Sequence, residues 1–367
     1  MPLPMGYATM RHTHPPPLLL LTLLASCASS QPLPPLSLSS TALSISGISS
    51  GAFFAVQLQF SHSSIIRGAG IVAGGPYYCA QQGGIAELVA CSVDASLVNT
   101  SALVEYAEAS AAAGLIDPLP LLKNHTVHLF SGTIDSLISH GTMITLADMY
   151  ARLDVPYTSA FNFTAEHAWV TSMYGNNCSY LGPDFINNCG WDFAGRFLSA
   201  SFAAAKLPWV PTPGVFAPSH LHTFDQTPFG AETNMSMDTT GYIYIPAACE
   251  AASGACKLHV NFHGCDQSRT EVADAYVSRT QLNEWAEANN IVVLYPQAAV
   301  DLHYANVLAC WCVGARAWLA VPGRALTPSA AARRCQVPLL CSVQILPHIS
   351  TPPSQELVGL WGCLLCD

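Results

Sequence analysis

Ala42-Leu43-Ser44-Ile45-Ser46-Gly47-Ile48-Ser49-Ser50-Gly51 is the stretch whose reading decides the fold. Its first five residues form a short β-like run, residues 52–62 beyond it are helical in character, and Gly47–Gly51 between them reads G-x-S-x-G. A G-x-S-x-G set between a strand and a helix is the context of a nucleophile elbow. The turn is so tight that side chains at the two glycine positions would clash with neighbouring strands. The strained turn presents the Ser49 hydroxyl above a sheet and leaves a helix N-terminus beneath it. The bare pentapeptide is a weak signal in a chain rich in Gly and Ser, so its meaning rests on the surroundings.

With 367 residues, the chain can bury one large α/β core or two smaller ones. A formal net charge of −10 with only 13 Lys and Arg argues against nucleic acid and against an anionic membrane surface as partners. Charged residues are only 10% of the chain, which suits the neutral polar surface of a secreted enzyme. Residues 1–30 read as a signal peptide: Arg11 precedes the apolar run Leu18-Leu19-Leu20-Leu21-Thr22-Leu23-Leu24, and small residues follow. That run is too short to span a membrane, and no other stretch reaches about 18 uninterrupted apolar residues. Leu24-Ala25-Ser26-Cys27 also matches a bacterial lipoprotein box, but sequons at Asn99, Asn124, Asn162, Asn177 and Asn234 favour a eukaryotic secretory route and a glycoprotein. Fourteen cysteines in such a chain read as disulfides. Short loops suggest Cys79 with Cys91, Cys178 with Cys189, and Cys249 with Cys256, although sequence leaves the connectivity open. Zinc is disfavoured because the C-x-x-C at Cys363–Cys366 has no partner motif.

After a Pro/Ser-rich stretch, residues 31–41, which reads as a flexible lead-in, strand-like runs recur at residues 42–46, 68–73, 126–130 and 158–163, and again at 241–245, 257–262 and 291–295. Helical or loop spacers separate them, and residues 272–289 have the length and Ala/Glu/Leu content of one helix. This alternation predicts a mostly parallel sheet with helices on both faces. Residues 201–234, rich in Pro, Phe and His, read as an irregular excursion. Residues 312–367 show no period and form a divergent tail. A single catalytic domain over residues 42–311 is therefore expected.

A serine nucleophile needs a base for its proton, and the base needs a carboxylate to hold its tautomer. In α/β hydrolases these partners follow later strands in the order Ser, acid, His. Asp135 turns out of the C-terminal end of the strand at 126–130, and His167 follows the strand at 158–163. Singly, such an Asp is more often a turn former and such a His more often structural; the required order after consecutive strands favours the joint reading. His140 competes as base but lies close to Asp135 at the start of the next helix. Glu166 competes as acid but, adjacent to His167, is badly placed for the far ring nitrogen. The oxyanion needs two N–H donors, one expected from Ser50 and the other from a His-Gly loop that normally precedes the nucleophile. Here that loop, Phe262-His263-Gly264-Cys265, lies far downstream, followed by a helix and the core strand at 291–295. A circularly permuted α/β hydrolase with Cys265 as second donor is the simplest account. The alternative is two domains with His263 merely buried.

These motifs, with residues 67–79, Ile186-Asn187-Asn188-Cys189-Gly190-Trp191-Asp192, residues 237–246 and residues 283–297, resemble the secreted, single-domain fungal-type polyhydroxybutyrate depolymerases. The resemblance covers roughly residues 44–310. It implies Ser49 as nucleophile, Asp135 as acid, His167 as base, Ser50 and Cys265 as oxyanion donors, a Cys265–Cys310 disulfide, and Trp311 lining the substrate cleft. The departure begins at Cys312-Val313-Gly314-Ala315, where the family carries an aromatic run. The expected function is an extracellular serine esterase acting on poly(3-hydroxybutyrate) or a related aliphatic polyester, as a monomer and without cofactor or metal. A feruloyl or acetyl-xylan esterase, and a non-catalytic binding protein on a decayed hydrolase scaffold, are the alternatives.

Overall fold

A computed structural model describes residues 31–79, 85–229, 236–250, 256–302 and 306–311. The expected signal peptide, the tail at 312–367 and the sequon at Asn234 lie outside the described residues. Eight strands form one sheet: β1 (Leu38–Ile48), β2 (Ile66–Val72), β3 (Thr126–Gly132), β4 (Tyr157–Phe163), β8 (Leu221–Asp225), β9 (Thr240–Tyr244), β10 (Cys256–Phe262) and β11 (Ile291–Tyr295). Three short strands, β5 (Trp169–Thr171), β6 (Asn176–Asn177) and β7 (Ile186–Asn188), form a second small sheet.

The large sheet runs β4-β3-β2-β1-β10-β11-β9-β8, parallel from β4 to β11 and antiparallel at β9 and β8. The central position of β1 carries the argument. It pairs with β2, the next strand in the chain, on one side and with the distant β10 on the other. Read from β8 through β11 and then β1 to β4, the strands follow the order of an unpermuted hydrolase; the permutation breaks the chain ahead of β1. Burial explains the composition: residues 42–48 of β1 and all of β10 and β11 are buried and mostly apolar or small, and the polar exceptions in β10, Lys257, His259 and Asn261, are hydrogen-bonded. Helix α1 (Ser50–Ser61) packs on β1, β2 and β10, while α5 (Phe193–Ala204) packs on β1, β2 and β3. At Gly70 the approach is so close that a Cβ would sit 2.8 Å from the Phe197 ring.

Three expectations change. The lead-in is not free: Leu36 is buried, Asp225 N–H donates to the Gln31 carbonyl at 2.7 Å, and β1 already begins at Leu38. The excursion at 201–234 contains the last turn of α5 and the edge strand β8. Residues 272–289 are broken, with α7 (Arg269–Val272), α8 (Ala275–Arg279) and α9 (Leu282–Asn289) separated at Ala273 (φ 53°) and Gln281 (φ 66°). The reason is tertiary. Gln281 Oε1 accepts the Ser172 N–H at 2.9 Å, and the Thr280 carbonyl accepts the Trp169 indole N–H at 2.8 Å. These contacts outweigh local helix propensity, which is worth only tenths of a kcal/mol per residue. The remaining helices are α2 (Ile85–Ser92), α3 (Thr100–Ala112), α4 (His140–Arg152) and α6 (Ala247–Glu250). No described helix is long and apolar enough to cross a membrane.

Four disulfides close the described residues: Cys79–Cys91, Cys178–Cys189, Cys249–Cys256 and Cys265–Cys310. Beneath the elbow runs a polar ladder inside the sheet. His259 Nδ1 and Nε2 pair with Ser44 Oγ and Ser46 Oγ, each at 2.8 Å, and Asn261 Nδ2 donates to Ser46 Oγ at 2.7 Å. Burial lowers the His259 pKa to about 3, and those of the buried His125 and His263 to about 4. Each folded value lies below the unfolded 6.5, so the unfolded chain takes up protons first. The stability these groups contribute is complete above pH 6.5 and is lost as pH falls toward about 4. Thermal melts at pH 7 and pH 4.5 are expected to differ by about 1–3 kcal/mol per buried histidine, with the lower stability in acid. Equal stability at both pH values would remove this account of the ladder.

Candidate active site

Ser49 stands where β1 hands over to α1, at φ 56° and ψ −126°. A non-glycine residue in this region costs on the order of 1–3 kcal/mol and persists only when its surroundings impose it. They do so here: Ser49 N–H donates to the Val72 carbonyl and the Ser49 carbonyl accepts Phe53 N–H, both at 3.0 Å. A Cβ at Gly47 would overlap the backbone of Gly51, and one at Gly51 would overlap the carbonyl oxygens of Phe262 and His263. Gly51 is thus kept bare by a neighbouring strand, as read in the sequence, whereas Gly47 is kept bare by the start of α1 within the elbow itself. Gly51→Ala is expected to force β10 and α1 apart, at a cost of about 3 kcal/mol or more. A melting temperature close to that of the wild type would contradict this.

Asp135 and His167 arrive on loops beyond β3 and β4. His167 Nδ1 lies 2.9 Å from Asp135 Oδ2, and the two side chains are only 4% and 1% exposed. The carboxylate accepts, so Nδ1 carries the proton and Nε2 is left as the basic nitrogen. The other oxygen, Asp135 Oδ1, accepts Leu137 N–H at 3.0 Å and Ile138 N–H at 2.8 Å, which locks the carboxylate plane. The two loops cross at Gly132, where a Cβ would overlap the Ala165 carbonyl. Glu166, considered above as an acid, has a different place: its Oε2 accepts His167 N–H at 2.8 Å and Ser136 N–H at 3.1 Å, bridging the acid and base loops. His140 begins α4, with Nδ1 3.0 Å from Ser131 Oγ and its ring edge-on to Phe161.

The loop after β10 packs against the elbow. A Cβ on Gly264 would lie 3.1 Å from Ser49 Cβ. His263 is fully buried: its Nδ1–H donates to the Gly264 carbonyl at 2.7 Å, and its Nε2 accepts Ala298 N–H at 3.1 Å. This polar fit makes it a neutral brace for the loop, in keeping with its lowered pKa. The backbone N–H groups of Ser50 and Cys265 have no acceptor among the described residues. Trp311 comes in beside them, its backbone N–H donating to Ser50 Oγ at 3.3 Å. Its indole is buried at 4% exposure and packs on Phe54, Phe262 and His263, with ring centroids 5.2, 5.2 and 5.4 Å away. Sequence reasoning missed Gln267, which is also buried and whose Oε1 accepts Gly264 N–H at 2.7 Å. Its three-residue spacing from Gly264 was the available signal.

No protein-family model matches the chain. It is 40% identical over 287 residues to a poly(3-hydroxybutyrate) depolymerase of Delftia acidovorans, covering 76% of this chain and 56% of that protein. It is 29% identical over 290 residues to a polyhydroxybutyrate depolymerase of Talaromyces funiculosus, covering 77% of this chain and 82% of that one. The chain therefore spans about half the length of the bacterial relative and most of the fungal one. Among solved structures, the PHB depolymerase from Penicillium funiculosum matches with a TM-score of 0.68 at 28% identity, over 77% of this chain and 90% of that one. A PHB depolymerase with a serine-to-alanine substitution, complexed with an R3HB trimer, matches with a TM-score of 0.68 at 27% identity and the same coverages. A permuted sheet, a strained serine turn and a buried Asp–His pair accompany these similarities: in sequence and in fold the chain is similar to polyhydroxybutyrate depolymerases.

Proposed function

We propose that this chain is an extracellular serine esterase that hydrolyses poly(3-hydroxybutyrate), or a related aliphatic polyester, to soluble hydroxyacid oligomers. The observation that carries the reading is the buried Asp135–His167 pair on loops at the same C-terminal edge of the parallel strands as the strained Ser49 turn. Ser49 Oγ attacks the ester carbonyl as His167 Nε2 takes its proton. The N–H groups of Ser50 and Cys265 receive the oxyanion, a step in which each donor is worth about 2.7–4 kcal/mol. His167 returns the proton to the departing alkoxy end of the chain, and water activated by the same base releases the acyl group from Ser49. Trp311 backs the Ser50 side of the cleft. The fold unit is read as a monomeric catalytic domain over residues 42–311 with the packed lead-in joined to its sheet, and the four disulfides fit an oxidising, secreted setting.

Substrate class is tested by assaying the purified protein in parallel on polyester film and on feruloylated arabinoxylan. Release of hydroxybutyrate oligomers from the film alone is expected. Release of ferulate alone would transfer the same chemistry to plant polysaccharide and overturn the polyester reading.

A further inference from the structure

Gln267 lies in the turn after the Cys265 loop and is 1% exposed. Its amide makes three hydrogen bonds to two segments of chain. Oε1 accepts Gly264 N–H at 2.7 Å, and Nε2 donates to the carbonyls of Asp184 at 2.8 Å and Phe185 at 3.2 Å. The side chain is thus an 83-residue link between the loop after β10 and the turn that leads into β7.

Both ends of that link matter for the site. At one end, the Gly264 N–H is held by Gln267 and the Gly264 carbonyl by His263 Nδ1–H. In a trans peptide the next N–H, that of Cys265, points away from the Gly264 carbonyl. Fixing Gly264 on both sides therefore fixes the direction of the Cys265 donor. Gly264 itself is wedged, since a Cβ there would lie 2.8 Å from Gln267 Oε1 and 3.1 Å from Ser49 Cβ. At the other end, Asp184 (φ 63°) and Phe185 (φ 43°) are consecutive non-glycine residues in the left-handed region. Such a turn persists only when contacts impose it. The contacts on this turn include the two hydrogen bonds from Gln267, the Trp169 N–H donating to the Phe185 carbonyl at 2.8 Å, the Phe185 N–H donating to the Gly182 carbonyl at 3.0 Å, and an exposed Arg279–Asp184 ion pair at 3.2 Å. Trp169 lies two residues beyond His167, and the Phe185 ring stands edge-on to the His167 imidazole at 6.5 Å.

From this we infer that Gln267 is a positioning residue that sets the oxyanion loop in register with the base. The inference rests on the serine-esterase reading above. The chemistry asks for an amide in particular, because one planar group must offer an acceptor and two donors. A glutamate keeps the acceptor for Gly264 and loses both donors, and a methionine of similar size loses all three.

The test compares wild type, Gln267→Glu and Gln267→Met on the soluble ester p-nitrophenyl butyrate. Competent sites are counted with a fluorophosphonate probe, and folding is checked by thermal melts. The expected result is a fall in kcat per titrated site of about 10–100-fold, with KM within about 3-fold of wild type, as for a misaligned oxyanion donor. A residue that serves only folding would lower the melting temperature and leave kcat per titrated site unchanged. A folded variant with kcat per site within twofold of wild type overturns the assignment, as do two variants that are recovered only unfolded. Failure of the wild type itself to turn over the ester is a different result: it removes the esterase reading, and the positioning role with it.

Discussion

Ser49→Ala is expected to abolish measurable ester hydrolysis, with a loss in kcat of about 10⁶. The hydroxyl is the only part of this residue the chemistry needs, and the backbone that presents it is held independently. The Ser49 N–H and carbonyl bonds to Val72 and Phe53 do not involve the side chain, nor do the overlaps that exclude a Cβ at Gly47 and Gly51. The variant should therefore fold, bind substrate and fail only at attack. The check is kcat on p-nitrophenyl butyrate beside a thermal melt. Turnover within 100-fold of wild type would remove Ser49 from the nucleophile's role.

Asp135→Asn is expected to lower kcat by about 10⁴ while leaving the fold in place. The reason can be read from the hydrogen bonds. Asp135 Oδ1 accepts from Leu137 and Ile138, so an asparagine would keep its oxygen there and turn its NH₂ toward His167. The imidazole would then have to accept at Nδ1 and carry its proton at Nε2, the nitrogen that must act as base. A well-folded Asp135→Asn enzyme with kcat within tenfold of wild type would show that the carboxylate is not the partner the mechanism needs.

Ser49, Asp135 and His167, proposed as nucleophile, acid and base, stood out as candidates because each follows the end of a strand whose β-branched or aromatic run stands out locally. The permutation was legible for a related reason: Phe262-His263-Gly264-Cys265 sits at the end of such a run, on the wrong side of the serine in the chain. What escaped was set by long-range contacts. β5, β6 and β7 are two or three residues long, too short for any periodicity to register. β8 is a short edge strand inside a Pro- and His-rich segment, where composition favours a loop. The helix expected over 272–289 has the right composition, but Thr280 and Gln281 serve Trp169 and Ser172 instead of a continuous helix. Gln267 binds two backbone carbonyls more than 80 residues away, and carbonyls carry no sequence signature.

Clearing of a turbid poly(3-hydroxybutyrate) suspension by the purified protein, run beside Ser49→Ala and followed by mass analysis of the soluble products, tests the account most directly. The expected result is clearing by wild type alone, with release of hydroxybutyrate oligomers. Clearing by both proteins would contradict the serine mechanism, and clearing by neither would contradict the polyester as substrate.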